Sequence, residues 1–218
     1  MSETLLFIFE IMGTVAFAAS GAITALSKKM DIFGVVTLGL VTAVGGGVIR
    51  DVILCNTPPV TFRNPVYALV AIGVSIVLFI PAVRKFLFNN QRVYDAIMLV
   101  MDSAGLGIFT IVGIETSVMA GHKSAFLLIF VGMVTGLGGG ILRDVLARNT
   151  PYIFVKHFYA CASLIGAIIC VALWRLAYPA IAVGLGAFSI FVLRILAAYF
   201  HWSLPKAEDI NQQNKKGD

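Results

Sequence analysis

The chain of 218 residues is 59% hydrophobic and 12% charged, with a formal charge of +5 and a mean hydropathy of +0.95. A soluble domain carries about a quarter charged residues, so the composition excludes an ordinary water-soluble fold. Its basic residues lie in short segments between apolar stretches, as membrane orientation requires, so nucleic acid is excluded as a partner.

The chain contains seven apolar stretches, each close to the roughly 20 residues that a membrane-spanning helix needs. In chain order they are Leu5–Leu26, Phe33–Ile53, Val66–Val83, Ala96–Val118, Ala125–Leu146, Phe158–Leu176 and Ala180–Phe200. The first contains Glu10 and follows no basic segment, so it is predicted to be a span and not a cleaved signal peptide. The polar residues 203–218 are predicted to form a disordered tail.

Basic residues are unequally divided between the two faces that these spans define. The N-terminal face carries three, and the opposite face carries ten: Lys28, Lys29, Arg84, Lys85, Arg92, Arg148, Lys156, Lys206, Lys215 and Lys216. Short cytoplasmic loops are enriched in Lys and Arg. The N-terminus is therefore predicted outside and the C-terminal tail in the cytoplasm.

The chain repeats itself after three spans. VGGGVIRDVILCNTPP from Val44 matches LGGGILRDVLARNTP from Leu137, and Glu10 and Phe17 of span 1 match Asp102 and Phe109 of span 4. Because three is odd, the second copy enters the membrane from the opposite side. The predicted architecture is all-α: a three-helix repeat in 1–92, an inverted repeat in 93–177, a seventh transmembrane helix in 178–202 and the tail.

Each repeat carries a glycine triplet past the middle of its second span, at Gly45–Gly47 and Gly138–Gly140. Small residues can serve only for close helix packing. Two triplets at equivalent positions favour broken spans instead, whose unwound carbonyls and helix C-termini face a cation. Ser20, Thr42 and Thr135 are weaker candidates for lining the same path.

Arg50, Asp51, Arg143 and Asp144 follow the triplets directly. Charged groups at this depth need a partner or a watery cavity. Adjacent side chains on a helix point about 100° apart, so neither arginine is expected to pair with the aspartate next to it. The symmetric prediction pairs Arg50 with Asp144 and Arg143 with Asp51. The rival interpretation places all four in a water-filled pore vestibule.

Other charged residues also lie within the spans. Glu10 and Asp102 are two equivalent buried acids, which either line the pore or pair with the arginines as alternatives to the symmetric partners. Arg194 in span 7 is predicted to extend toward the cytoplasmic face.

With these residues, the chain resembles the prokaryotic members of the trimeric intracellular cation (TRIC) channel family, also known as the glycine transporter domain family. The resemblance covers all seven spans. It is carried by the two GGGxxRD segments, Gly45–Asp51 and Gly138–Asp144, and by the opening EIMGTVAFAASGA. Cys55 departs from it, because a glycine is expected there, and the Lys-Glu-Val motif of the animal channels is absent, so their gating does not carry over.

The resemblance implies a homotrimer in the bacterial inner (plasma) membrane, with one pore per subunit that conducts K⁺, Na⁺ and other monovalent cations. It implies no cofactor and no metal beyond transiently bound monovalent cations. It also implies that the pore is kinked at the glycine triplets, here Gly45, Gly46, Gly47, Gly138, Gly139 and Gly140. The Arg-Asp pairs are then the polar groups beside the kinks.

Two functions remain open at this point. The first is a passive channel for monovalent cations, and the alternative is a secondary transporter of a small zwitterion such as glycine, which the same architecture serves. An enzyme is not expected, because the sequence has no Ser-His, Cys-His or metal-ligand cluster.

Overall fold

The computed structural model describes residues 3–155, 158–176 and 179–202, and the predicted tail 203–218 lies outside that part. The described residues form helices and connecting turns, without strands. In chain order the helices are α1 (Glu3–Ser27), α2 (Ile32–Ile53), α3 (Val60–Arg63), α4 (Val66–Phe79), α5 (Pro81–Phe88), α6 (Gln91–Met119), α7 (Ala125–Leu146), α8 (Tyr152–Val155), α9 (Tyr159–Arg175) and α10 (Pro179–Tyr199).

Five of the described helices, α1, α2, α6, α7 and α10, are long and apolar enough to cross a membrane. A sixth span requires α4 and α5 together, although the chain bends by 73° between them. Helix α9 is apolar but has only 17 residues. The prediction of a multi-pass helical membrane protein is therefore confirmed, while a count of seven requires both the bent pair α4–α5 and the short helix α9 to cross the membrane.

The third predicted span, Val66–Val83, is not one straight helix. Helix α4 ends at Phe79, and Ile80 adopts an extended conformation before Pro81 begins α5. A proline disfavours helical geometry in the residue before it, so the chain turns here.

Several long helices end in the same way, with one residue in the left-handed conformation. At α2 this residue is Cys55, with φ 55°, and at α7 it is the equivalent Arg148, with φ 54°. The next amide, of Asn56 or Asn149, donates to the carbonyl five residues back at 2.8 Å. This hydrogen bond closes the last turn of each helix.

The helices pack as two groups, α1 with α2 and α4, and α6 with α7 and α9. The groups meet through α1 against α6 and α2 against α7, and α10 lies on α6 and α9. Ala147, just past the end of α7, belongs to the same buried cluster as Val35 and Leu38 near the start of α2. Helices α2 and α7 therefore run antiparallel.

The glycine triplets lie where α2 crosses α7. A Cβ built at Gly46 would collide with the carbonyl oxygen of Thr135, and one at Gly139 with the carbonyl oxygen of Thr42. The backbones thus approach each other with no room for a side chain. Both helices continue through their triplets without interruption, so the predicted break in spans 2 and 5 is not observed.

The physical reason is that the crossing needs the missing Cβ atoms and not the conformational freedom of glycine. Lipid supplies little hydrophobic drive between helices, so close van der Waals contact between small residues holds them together. The packing interpretation, considered from the sequence as the less favoured one, accounts for the triplets in this conformation.

Candidate functional site

A polar cluster buried in the first half, hereafter cluster 1, consists of Glu10, Arg50, Asp51 and Tyr67. Arg50 Nε donates to Asp51 Oδ1 at 2.8 Å, and its Nη1 lies 3.8 Å from Glu10 Oε1. The Tyr67 hydroxyl donates to the other oxygen of Glu10. Asp51 Oδ2 accepts the Val60 amide at 2.8 Å, which joins the end of α2 to the first residue of α3.

The second half contains the equivalent residues Asp102, Arg143, Asp144 and Tyr159, which form cluster 2 together with Arg194 of α10. Arg143 Nε donates to Asp144 Oδ1 at 2.8 Å and its Nη1 to Asp102 Oδ1 at 2.6 Å. Asp144 Oδ2 accepts the amide of the first residue of α8 at 2.9 Å, just as Asp51 does for α3. The two aspartates therefore have the same structural role at the ends of α2 and α7.

The predicted pairing across the two halves is wrong. Asp51 and Asp144 each bind the arginine that precedes them, and Arg50 and Arg143 take their second acids, Glu10 and Asp102, from their own half. The prediction compared only the directions in which adjacent side chains leave the helix. An arginine side chain is long enough to curl back, and its planar fork can bind two carboxylates at once.

Arg194 does not extend to the membrane surface as predicted. Its side chain is 4% exposed, and its Nη2 lies 3.7 Å from Asp102 Oδ2. The guanidinium carbon lies 4.5 Å from the centre of the Tyr159 ring. The buried acid and the aromatic face bind the guanidinium inside the protein, which offsets the cost of burying its charge.

The hydroxyls predicted to line a path are buried at helix contacts. Ser20 accepts a hydrogen bond from Arg143 Nη1, which is a contact between the halves. Thr42 and Thr135 donate to the carbonyls of Leu38 and Val131 in the preceding turn, both at 2.6 Å. Their role in a path stays a prediction.

The three glycines of each triplet face different surroundings. A Cβ at Gly45 would collide with Leu142 of α7. A Cβ at Gly47 would meet only the Arg50 guanidinium, at 3.8 Å, whereas one at the equivalent Gly140 would lie 2.9 Å from Tyr159 Oη and 3.8 Å from the Arg143 guanidinium. The last glycine of each triplet therefore lies beside its charged cluster, with open space at Gly47 and close contact at Gly140.

Two cavities reach the clusters from opposite ends of α6. One, of about 480 Å³, includes Glu10, Arg50 and Thr116 in its wall. The other, of about 500 Å³, includes Met98 and Arg194. Met98 and Thr116 are separated by roughly 27 Å of helix at 1.5 Å per residue, comparable with the thickness of a membrane core.

Tyr67 and Tyr159 belong to the clusters but were not expected from the sequence. They share the offset that relates Glu10 to Asp102, so the repeat itself contained the signal. Among the described residues, no three His, Cys, Asp or Glu side chains are grouped to bind a metal ion.

These features define a class of protein: a helical membrane protein with two matching halves and a buried arginine–carboxylate cluster in each. The sequence profile of the family described as "Glycine transporter" matches the chain over residues 7–82 and 99–175. The chain therefore belongs to this family, in which each half matches separately.

Named relatives are bacterial membrane proteins. A UPF0126 membrane protein of Vibrio cholerae is 37% identical over 94% of this chain and 84% of its own length. The UPF0126 inner membrane protein YadS of Escherichia coli K12 is 36% identical over 92% of this chain and 95% of its own length.

Solved structures of TRIC cation channels have the same fold. One, from work on conductance through these channels, gives a TM-score of 0.81 at 34% identity and covers 93% of this chain and 97% of its own. The TRIC orthologue from Rhodobacter sphaeroides gives 0.83 at 34% identity, with 92% and 100% covered. The predicted resemblance is confirmed, and so is the prediction that the chain is not an enzyme, since these relatives are channels.

Proposed function

We propose that this protein is a channel for monovalent cations, permeable to potassium, with one pore in each subunit of a homotrimer. The observation that carries the proposal is its likeness to TRIC cation channels over more than nine tenths of the chain. The Rhodobacter sphaeroides relative is described as a trimeric intracellular cation channel.

The cavities support a route through the subunit. They open at opposite ends of α6, and the wall of each includes an arginine of a buried charged cluster. The crossing at Gly46 and Gly139 lies between the clusters, because α2 and α7 are antiparallel and each arginine follows its triplet. In this conformation the crossing closes the route, and we infer that conduction requires α2 and α7 to separate or bend there.

The matching halves are inverted in this proposal. Support comes from the reciprocal contacts of α1 and α6, where a Cβ at Gly13 would meet Phe109 and one at the equivalent Gly105 would meet Phe17. Antiparallel packing of the equivalent helices α2 and α7 is expected for two halves related by an axis in the membrane plane.

We propose that the protein lies in the bacterial inner membrane, because its Escherichia coli relative is described as an inner membrane protein, and that its N-terminus is outside. Lys29, Arg84 and Lys85 line one shared cavity. On the sparsely charged face, Arg175 donates to the carbonyl of Lys123 at 3.1 Å. The basic residues thus gather at the end that the positive-inside rule assigns to the cytoplasm.

The alternative, a secondary transporter of a small zwitterion, is favoured by the description of the family as a glycine transporter. Recording from the purified protein in a planar bilayer separates the two functions. A potassium channel gives unitary currents whose reversal potential follows the K⁺ gradient and which vanish when N-methyl-D-glucamine replaces K⁺. Glycine uptake into vesicles without unitary currents would contradict the channel and support the transporter.

A further inference from the structure

Arg194 breaks the correspondence between the two clusters. Helix α10 packs on α6 and α9 and follows both halves. Its arginine reaches the carboxylate of Asp102, which already accepts a hydrogen bond from Arg143. The equivalent acid, Glu10, has only the Arg50 guanidinium as a cationic neighbour within 4 Å in the described part of the chain, and that contact is 3.8 Å long.

The clusters consequently differ in formal charge. Cluster 1 has the carboxylates of Glu10 and Asp51 and one guanidinium, which gives −2 + 1 = −1. Cluster 2 has the carboxylates of Asp102 and Asp144 and two guanidinia, which gives −2 + 2 = 0. Without Arg194, the second cluster would carry the same charge as the first.

The contact between Arg194 and Asp102 is incomplete. Asp102 Oδ2, Arg194 Nε, Arg143 Nη2 and Tyr159 Oη are buried and make no hydrogen bond to other described protein atoms. A Cβ at Gly140 would lie 2.9 Å from Tyr159 Oη and 3.9 Å from Asp102 Oδ1, so the glycine keeps these atoms clear of a side chain. Buried polar atoms in proteins are usually hydrogen-bonded, so this group of atoms leaves room for a water molecule or a cation as a further partner.

Arg194 also lies between Asp102 and the cavity at the start of α6. It forms part of the wall of that cavity, whereas Asp102 does not. A cation that moves from the cavity toward the carboxylate therefore meets the guanidinium first, and like charges repel.

From this arrangement we propose that Arg194 is a tethered cation: its guanidinium occupies the position beside Asp102 that a permeating monovalent cation takes when Arg194 moves away. Helix α10 thereby controls cation occupancy of the second half of the pathway. The inference rests on the proposed channel, and it makes Arg194 a residue that limits permeation.

Single-channel recording of Arg194→Gln, Arg194→Lys and wild-type protein tests the inference. Removal of a fixed like charge from a narrow passage raises the local cation concentration, so Arg194→Gln should increase the mean K⁺ current by roughly threefold to tenfold. Arg194→Lys keeps the positive charge and should raise the current less than Arg194→Gln does. The matched control is Arg175→Gln, which removes an exposed arginine and should leave the current unchanged.

A binding measurement tests the same site without any current. With the lysine and glutamine variants purified in detergent, K⁺ in place of N-methyl-D-glucamine should raise the melting temperature of Arg194→Gln by about 3 °C. Wild type and Arg194→Lys should show a smaller rise. In the double variant Arg194→Gln, Asp102→Asn, the extra K⁺-dependent rise in melting temperature should disappear.

The K⁺ current and the K⁺-dependent melting temperature together distinguish failure of the proposed channel from failure of the proposed cation site. If wild type carries no current but Arg194→Gln gains the K⁺-dependent rise, the cation site stands and the channel does not. If Arg194→Gln is folded and changes neither the K⁺ current nor the K⁺-dependent rise in melting temperature, the proposed role of Arg194 as a tethered cation is overturned. Should Arg194→Gln fail to fold, Asp102→Asn alone serves: it leaves cluster 2 positive and must lower the K⁺ current, and an unchanged current overturns the inference.

Discussion

Cys55 occupies the left-handed position that closes α2, with φ 55°. Glycine is the residue that adopts this conformation without strain, which explains why glycine is expected there. We predict that Cys55→Gly raises the free energy of unfolding by about 1 kcal/mol. Thermal melting of the purified protein measures it, with Cys55→Ser as the control that removes the thiol but keeps the Cβ. Equal melting temperatures for the two variants would contradict the prediction.

Arg143 is fully buried and binds Asp102, Asp144 and Ser20, whereas the contact of Arg50 with Glu10 is 3.8 Å long. Removing one partner of a buried ion pair costs about 3–5 kcal/mol because a charge is left uncompensated. Arg143→Ala should therefore reduce the yield of folded protein more than Arg50→Ala. The exposed Arg92→Ala is the control. Equal losses from Arg143→Ala and Arg92→Ala would show that cluster 2 does not stabilise the fold.

At the scale of the helix, the α2–α7 crossing depends on the middle glycine of each triplet. Alanine at Gly46 or Gly139 would collide with backbone carbonyls, so each should cost about 1–3 kcal/mol, as overpacking does. Gly73 is the matched control, because it lies in α4 and a Cβ there would meet no atom within 4 Å, so alanine should be neutral or stabilising. Melting curves of the three alanine variants measure these changes in stability. If all three melt alike, the crossing tolerates a side chain.

The orientation of the whole molecule in the membrane is predicted from its basic residues, of which ten lie on one face and three on the other. A cysteine at Ser2, in a background without Cys55, Cys161 and Cys170, should react with a membrane-impermeant maleimide in intact spheroplasts. One at Asp218 should react only after permeabilisation, because cytoplasmic loops are enriched in Lys and Arg. The reverse pattern would invert the topology.

The sequence by itself determined the class of the protein, its repeat and its family. Membrane helices satisfy their own backbone hydrogen bonds, so apolar stretches of sufficient length identify them without tertiary contacts. The repeat also identified the acids and arginines that the two clusters share, because Glu10 matches Asp102 and Arg50 matches Arg143. These are local signals, present in the order of residues along the chain.

Only the tertiary structure decided which groups meet. The partners of Arg50 and Arg143 depend on how arginine side chains curl, and Arg194 turns inward because Asp102 and Tyr159 are placed by other helices. The glycine triplets pack α2 on α7 because each lies opposite a carbonyl far away in the sequence. Such contacts are set by the separations and angles between helices, which residue spacing along one helix does not specify.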